Sequence, residues 1–229
     1  MRFLCRLEAG RALARRLDHL RGEGSGVVLL ALPRGGIPVG YEVARALGLP
    51  LEVMLTRRVE VPGGQAATLG AVAEEGTVVV DEATVREHGL APEIVSALTE
   101  AAKRELRHDV VVYRGERPLP RIEGRCVVLV DDGITTGGTS RAAAKALRKR
   151  GARKIIVAVP VVGPGAARVR DEVDELVYLQ APEEFIGVGY WYTRRGLSED
   201  QAVSLMARAR RELGEAVTPH AWSAVASAR

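Results

Sequence analysis

Short apolar runs alternate with amphipathic stretches along most of the chain. Continuous apolar runs are typical of strands buried on both faces, and they occur at Val27–Leu32, Cys126–Val130, Ile155–Val159 and Leu176–Leu179. Strands are also predicted at Leu51–Leu55 and Thr77–Val80. Helical spacing or capping residues predict helices at Arg11–Leu20, Pro38–Leu47, Pro92–His108, Ser140–Arg150, Ala166–Glu172 and from Ser198 to about Leu213. This alternation predicts an α/β fold with a Rossmann-like, mostly parallel sheet flanked by helices.

The chain is long enough for one full hydrophobic core. Its 229 residues are 47% hydrophobic, which predicts a single domain over residues 1–229. A glycine-containing stretch, Thr56–Gly76, is expected to be loop around Pro62, Gly63 and Gly64. We expect a small C-terminal hood at about residues 181–195 and a frayed tail at residues 218–229.

Composition excludes several classes of protein. The apolar runs are far shorter than the roughly 18 residues that span a bilayer, and the first residues lack the apolar segment of a secretory leader, so a cytoplasmic protein is expected. Cys5 and Cys126 are too few for a disulfide framework or a four-cysteine zinc site. The net charge of +4 comes without a basic stripe or a helix-turn-helix signature, so nucleic acid is not an expected partner.

Two adjacent carboxylates and a glycine-rich turn follow the apolar run that ends at Val130. Asp131 and Asp132 come directly after the predicted strand, and a predicted helix begins at Ser140. The turn between them consists of Gly133, Ile134, Thr135, Thr136, Gly137, Gly138 and Thr139. Such a turn can aim several backbone N–H groups at one point beside the positive end of a helix, which suits a phosphate.

The carboxylates must serve another part of the same ligand, because they would repel a phosphate. Sugar hydroxyls or a metal ion are the natural partners of Asp131 and Asp132. A phosphate and a diol at this separation describe a ribose 5-phosphate. The plain alternative is a capped helix after an ordinary strand, which leaves the hydroxyl- and glycine-rich turn unexplained.

This segment resembles the signature of the type I phosphoribosyltransferases, which bind phosphoribosyl pyrophosphate (PRPP) with Mg²⁺. The resemblance extends from about Val27 to Tyr192. It implies that Asp131 and Asp132 hold the ribose hydroxyls and that the following turn cradles the 5-phosphate. Gly133 departs from the pattern, because the family usually has an aliphatic residue at that position.

Two further loops follow predicted strands. Arg34, Gly35 and Gly36 resemble the family's pyrophosphate loop, since glycines allow close backbone approach and arginine offers a planar fork of donors. A tight turn is the alternative. Arg57 and Arg58 resemble the family's mobile loop over the active site, and a solvated charge pair is the alternative there.

The resemblance implies a transferase that moves ribose 5-phosphate from PRPP to a nitrogen nucleophile and releases pyrophosphate. The catalytic candidates are Arg34, Arg57, Arg58, Asp131 and Asp132. Mg²⁺ is the implied cofactor, held mainly by PRPP, with the two carboxylates as candidate ligands. The alternative is a non-catalytic sensor of PRPP or nucleotides on the same fold, and the oligomeric state is left open.

Aromatic residues cluster in the predicted hood, although aromatics make up only 4% of the chain. We expect at least one of Phe185, Trp191 and Tyr192 to stack on the acceptor. The alternative is that these rings pack the hood onto the core or form a subunit interface. Family enzymes that salvage 6-oxopurines carry an Asp at the position matching Thr135, so hypoxanthine and guanine are expected to be poor substrates.

Overall fold

A parallel sheet of five strands lies at the centre of the structure, a computed structural model that describes residues 2–22, 26–61 and 68–214. The sheet has the order β2-β1-β6-β7-β8, and each neighbouring pair is parallel. The strands in chain order are β1 (Val27–Ala31), β2 (Leu51–Val53), β3 (Thr56–Glu60), β4 (Thr68–Ala73), β5 (Val78–Val80), β6 (Cys126–Val130), β7 (Lys154–Val161) and β8 (Glu175–Gln180). The predicted α/β class is therefore confirmed.

Helices cover both faces of this sheet. They are α1 (Arg6–Arg16), α2 (Gly36–Leu47), α3 (Glu82–Glu87), α4 (Pro92–Arg114), α5 (Gly138–Lys149), α6 (Ala166–Arg170) and α7 (Glu199–Leu213). Helix α7 begins with a capping box in which the Ser198 side chain accepts from the Gln201 amide and the Gln201 side chain accepts from the Ser198 amide. This reciprocal pairing satisfies two amides that a helix start leaves without partners.

The core lies on both sides of the sheet because successive strand residues point to opposite faces. On β1, Leu29 packs in the cluster that contains residues of α1, α2 and α7, whereas Leu30 packs in the cluster that contains residues of α5. Both leucines are almost fully buried. Full burial of such a side chain stabilises the fold by roughly 1.5–3 kcal/mol. Apolar residues are therefore favoured on both faces of these strands.

A second, antiparallel sheet has the order β3-β4-β5. The prediction that Thr56–Gly76 is loop is therefore wrong for β3, β4 and the 3₁₀ turn at Glu74–Gly76. The predicted strand Thr77–Val80 exists as β5, but it joins this small sheet and not the parallel one. Gly70 on β4 permits the close approach, since a Cβ there would lie 2.0 Å from the Val79 carbonyl oxygen.

Other boundaries also differ from the predictions. Helix α1 begins at Arg6, α4 continues to Arg114, and the short helix α3 has no counterpart among the predicted elements. Asp81 starts α3 by accepting a hydrogen bond from the Ala83 amide. The predicted tail at residues 218–229 and the Pro62–Gly64 segment lie outside the described residues.

Residues 2–5, called here the N-terminal strap, pair with the hood at residues 181–195. The Phe3 amide donates to the Trp191 carbonyl at 2.9 Å, and Phe3 accepts from the Thr193 amide at 2.9 Å. The Arg194 amide donates to the Leu4 carbonyl, also at 2.9 Å. The strap thereby fixes the hood beside the sheet. Among the described helices, none combines the length and apolar character needed to cross a membrane.

Candidate active site

The loops after β1 and β6 meet at one edge of the parallel sheet, because these strands are neighbours in register, with Ala31 opposite Val130. A cavity of 1040 Å³, called here the main cavity, opens at this edge. Predicted site residues on its wall are Arg34, Gly35, Arg57, Arg58, Asp131, Asp132, Gly133, Thr135 and Thr139. Segments that are far apart in the sequence thus converge on one space, as ligand sites of open α/β sheets do.

The adjacent carboxylates have different surroundings. Asp131 accepts a hydrogen bond from the Asp132 amide at 2.7 Å. Burial raises the pKa of Asp131 well above its ordinary value, and the Asp132 charge raises it further, while Arg58 acts in the opposite direction. Removal from water and a like charge both disfavour the ionised form.

Asp132 is paired with a residue from the start of the chain. The Nε and Nη2 atoms of Arg6 both lie 2.6 Å from Asp132 Oδ2. The Arg6 guanidinium also lies 4.4 Å from the centre of the Tyr192 ring, and the Tyr192 hydroxyl donates to the Asp132 carbonyl at 2.6 Å. Burial, and then the Asp132 charge, raise the pKa of Tyr192.

The loop after β1 passes directly over the carboxylates. A Cβ at Gly35 would lie 2.2 Å from Asp132 Cγ, and a Cβ at Gly36 would lie 2.5 Å from the Val130 carbonyl oxygen. The peptide bond between Pro33 and Arg34 is cis. Only glycine fits at positions 35 and 36 without displacing Asp132 or the end of β6. Approach of this backbone to a pyrophosphate stays a prediction.

The glycine-rich turn after β6 ends at an uncapped helix start. Gly137 has φ +81°, and helix α5 has neither a side-chain cap nor an acidic residue in its first turn. The first amides of a helix have no partner within it. The start of α5 therefore carries a partial positive charge. A second cavity of 540 Å³ lies beside it, and the wall of this cavity includes Thr135, Thr136, Gly137 and Thr139.

The loop after β7 is hydrogen-bonded to the backbone of this turn. The Gly163 amide donates to the Ile134 carbonyl, and the Gly165 amide donates to the Thr135 carbonyl, both at 2.7 Å. Ile134 is buried, and it bridges Val162 as an isolated parallel pair. These hydrogen bonds hold the backbone of the turn in place. Helix α5 begins directly after the turn, at Gly138.

Packing accounts for the unusual glycine at position 133. A Cβ there would lie 2.9 Å from Val161 Cγ1 and 2.9 Å from Val188 Cγ2. Val188 belongs to the hood and also lies on the wall of the main cavity. The hood side chain therefore fills the space that a larger residue at 133 would need.

The arginines of β3 have different partners. Arg57 Nη2 lies 2.6 Å from Glu105 Oε2, and Arg57 Nη1 lies 3.1 Å from Asp109 Oδ2, so Arg57 is tied to α4. Arg58 lies on the walls of both cavities. Arg58 is thus the β3 cation that faces the carboxylates and the glycine-rich turn together.

Comparison with known proteins agrees with this arrangement. The profile of the phosphoribosyl transferase domain matches residues 6–193, a range that includes both glycine-rich loops. The chain belongs to the phosphoribosyltransferase domain family.

Relatives of this family member cover most of its length. Two proteins of Mycobacterium tuberculosis, one from strain CDC 1551 and one from strain H37Rv, carry the provisional name phosphoribosyl transferase. Each is 39% identical to this chain over 212 residues, or 91% of its length. The match covers 47% of those proteins, so the chain spans about half their length. The crystal structure of TT1426 from Thermus thermophilus is 37% identical, with a TM-score of 0.73, and the match covers 91% of this chain and 99% of that one.

A shorter match involves a uracil phosphoribosyltransferase of Lactobacillus gasseri. It is 36% identical over 85 residues, which cover 36% of this chain and 41% of that protein.

Three aromatic residues of the hood are predicted candidates for stacking on the acceptor, and none of the three lies on the wall of the main cavity. Phe185 packs over Gly163, where a Cβ would lie 2.7 Å from its ring. Trp191 meets Tyr190 edge to face at 5.5 Å, and Tyr192 is only 3% exposed. In the part of the chain that the structure describes, the hood residues on the wall are Val188 and Gly189. Acceptor stacking by one of these rings stays a prediction.

Sequence reasoning missed several residues on the wall of the main cavity. They are Arg6, Glu105, Asp109, Tyr113 and Glu199. Each lies on a helix with an ordinary amphipathic pattern, so no local signal distinguishes it. The Tyr113 hydroxyl is buried without a hydrogen-bond partner among the described residues. Burial raises the pKa of Tyr113 to about 12, with a further contribution from Glu199.

The donor set of the main cavity suits a magnesium ion that is carried by a ligand. No group of three or more His, Cys, Asp or Glu side chains within the described ranges could hold a metal alone. Asp131 and Asp132 offer hard oxygen donors at the cavity wall. Mg²⁺ is commonly held by one or two carboxylates together with substrate phosphates, and the residues present fit that mode.

Proposed function

We propose that this chain is a phosphoribosyltransferase that transfers ribose 5-phosphate from PRPP to a nitrogen nucleophile and releases pyrophosphate. The observation that carries the proposal is the convergence of three segments on the main cavity: the paired carboxylates, the double-glycine loop and the arginine-bearing strand β3. In this proposal residues 1–229 act as one cytoplasmic transferase domain whose partners are PRPP and a small acceptor.

The glycine-rich turn and the carboxylates divide the sugar phosphate between them. The uncapped start of α5 and the hydroxyls of Thr135, Thr136 and Thr139 bind the 5-phosphate. Asp131 and Asp132 accept hydrogen bonds from the ribose hydroxyls. Such charge-assisted bonds are about twice as strong as neutral ones, so the pair both anchors and orients the ribose.

The leaving group lies between the double-glycine loop and β3. The Gly35 backbone, which lies on the cavity wall, approaches the pyrophosphate, and Arg34 and Arg58 stabilise the negative charge that grows on it. Arg57 reaches the pyrophosphate by exchanging its partners on α4. A bound Mg²⁺, held mainly by PRPP, would supply neutralisation of the pyrophosphate charge, and Asp131 and Asp132 would be its candidate protein ligands.

The reaction is a displacement at C1 of the ribose, whose transition state resembles an oxocarbenium ion. The chain's own contribution is to position the ring and to exclude water. The carboxylates hold the ribose from one side while the hood and β3 enclose C1 from the other. This enclosure protects PRPP from hydrolysis until the acceptor arrives.

The acceptor binds beneath Val188 and Gly189 of the hood. At Thr135 a neutral hydroxyl lies where a carboxylate would be needed to accept a proton from a 6-oxopurine. Hypoxanthine and guanine are therefore expected to be poor acceptors. Efficient turnover of either base would contradict this part of the proposal.

Calorimetry with PRPP and Mg²⁺, followed by pyrophosphate release against a panel of bases, tests the function. The wild-type protein should bind PRPP and release pyrophosphate with at least one base. Asp131→Asn and Asp132→Asn should each weaken PRPP binding about tenfold or more. Asp174→Asn should not, because Asp174 directly precedes β8 and contacts the start of β7, at the opposite end of the sheet. Wild-type affinity in both site variants would overturn the assignment, and PRPP binding without turnover of any base would favour the sensor.

A further inference from the structure

Arg6, the first residue of α1, pairs with a carboxylate on the wall of the main cavity. Its Nε and Nη2 atoms both lie 2.6 Å from the same carboxylate oxygen, Oδ2 of Asp132. Two donors on one oxygen leave Oδ1 as the carboxylate oxygen available to another partner. The side chains of Arg6 and Asp132 are 13% and 15% exposed, so water screens the pair little.

Three segments fix Asp132 at once. Arg6 holds its carboxylate, the Tyr192 hydroxyl donates to its carbonyl at 2.6 Å, and the Gly35 backbone lies against Cγ. The Tyr192 ring supports the Arg6 guanidinium at 4.4 Å. Arg6 is therefore itself held in place.

A partner for Asp132 is physically necessary. Asp131 is adjacent, and two like charges at the wall of a cavity repel each other. An unpaired carboxylate with so little exposure would also lose hydration without compensation. The guanidinium offsets both effects, and its two donors together fix the position of Oδ2.

We propose that Arg6 is a positioning residue for the sugar: it holds Asp132 so that Oδ1 receives a ribose hydroxyl. This inference rests on the proposed function, which assigns the ribose to the paired carboxylates. Arg6 acts through Asp132 and does not touch the 5-phosphate. Its removal should weaken ligands that carry the ribose and spare inorganic phosphate.

The test compares ribose 5-phosphate with inorganic phosphate by calorimetry in Arg6 variants. Arg6→Met should weaken ribose 5-phosphate and PRPP binding about tenfold or more, with inorganic phosphate unchanged. Arg6→Lys keeps the charge but not the fork, so it should restore part of the affinity; this variant carries the test if Arg6→Met does not fold. Arg2→Met is the matched control, because Arg2 contacts the hood through the Tyr192 carbonyl and the Tyr190 ring.

A double-mutant cycle separates positioning from direct contact. In an Asp132→Ala background, Arg6→Met should have no further effect on ribose 5-phosphate affinity. If Arg6→Met weakens ribose 5-phosphate binding equally in that background, the proposal is overturned. Tighter ribose 5-phosphate binding by Arg6→Met alone would also overturn it, since Arg6 would then compete with the ribose for Asp132. If the wild-type protein binds neither PRPP nor ribose 5-phosphate, the proposed function itself falls; if it binds them and Arg6→Met binds equally well, only this inference falls.

Discussion

At position 35 the backbone packs against a carboxylate so closely that there is no room for a side chain. A Cβ on Gly35 would lie 2.2 Å from Asp132 Cγ, which is too short for two non-bonded carbon atoms, so one of the two residues would have to move. The side chain that must move is the one that Arg6 holds. A single methyl group here therefore acts on the carboxylate and on its ion pair together.

Gly35→Ala should weaken PRPP binding about tenfold or more, because the displaced carboxylate loses a charge-assisted bond to the ribose. Calorimetry on the folded variant measures the effect. Gly189→Ala is the control: it lies on the same cavity wall, but a Cβ there meets nothing within 4 Å. Equal PRPP affinity in the two variants would show that the Gly35 contact has no role in binding.

Two buried tyrosines differ in whether the hydroxyl has a partner. The Tyr113 hydroxyl has none within the described ranges, whereas the Tyr41 hydroxyl donates to Glu212. Tyr113→Phe should therefore raise the free energy of unfolding by up to about 1 kcal/mol, and Tyr41→Phe should lower it by about 1 kcal/mol. Urea denaturation of both variants measures the difference. The same loss of stability in both would mean that Tyr113 has a partner in solution.

At the scale of elements, a buried ion pair joins the small sheet to the rest of the fold. Arg114, at the end of α4, donates to Glu74 and to the Val53 carbonyl, and Glu74 also accepts from the Leu55 amide at 2.8 Å. Both side chains are less than one-tenth exposed. The pair connects α4 and β2 to the turn after β4, so it fixes where β3 meets the main cavity.

Arg114→Met should lower the free energy of unfolding by about 3–5 kcal/mol, because it leaves the Glu74 charge buried without a partner. The double variant Arg114→Met with Glu74→Leu should recover much of that loss. Arg86→Ala, which breaks an exposed pair with Glu82, should leave unfolding unchanged. A similar small change in all three variants would contradict the structural role of the buried pair.

The parallel strands and most helices could be predicted because each signal is contained in a short window. Val27–Ala31 is apolar throughout, since both faces of β1 are covered. Strands β3 and β4 escaped prediction because β3 shows two adjacent exposed arginines, and β4 contains a glycine that only its neighbour β5 explains. Pairing partners decide such strands, and partners are not local.

The same distinction applies to the candidate site. Asp131 and the following turn are contiguous, so one segment of sequence already carries the pattern of a sugar phosphate site. Arg6 lies 126 residues from Asp132 in the sequence, and no pattern links the two. Tyr192 belongs to an aromatic cluster that the sequence shows, but its contact with the Asp132 carbonyl depends on the docking of the hood.

For the whole molecule, acid should lower stability through carboxylates such as Asp174. A hydrogen bond from the Ile155 amide, opposed by burial and aided by Arg148, lowers the pKa of Asp174. Its contribution is complete above the ordinary aspartate pKa of about 4 and is lost as the pH falls through the lower folded value. The difference in unfolding free energy between wild type and Asp174→Asn should therefore shrink from about pH 5 downward; a constant difference would contradict it.

The pairing of the strap with the hood imposes an order on biosynthesis. Arg2 and its partner Tyr192 are 190 residues apart, so residues 2–5 leave the ribosome long before the segment that they must meet. Contacts between distant segments form late, because a long loop must close first. A nascent chain can assemble β1, α2 and the carboxylates while Arg6 still lacks the Tyr192 ring. The proposed ribose site is therefore complete only after the hood has been translated and has met the strap.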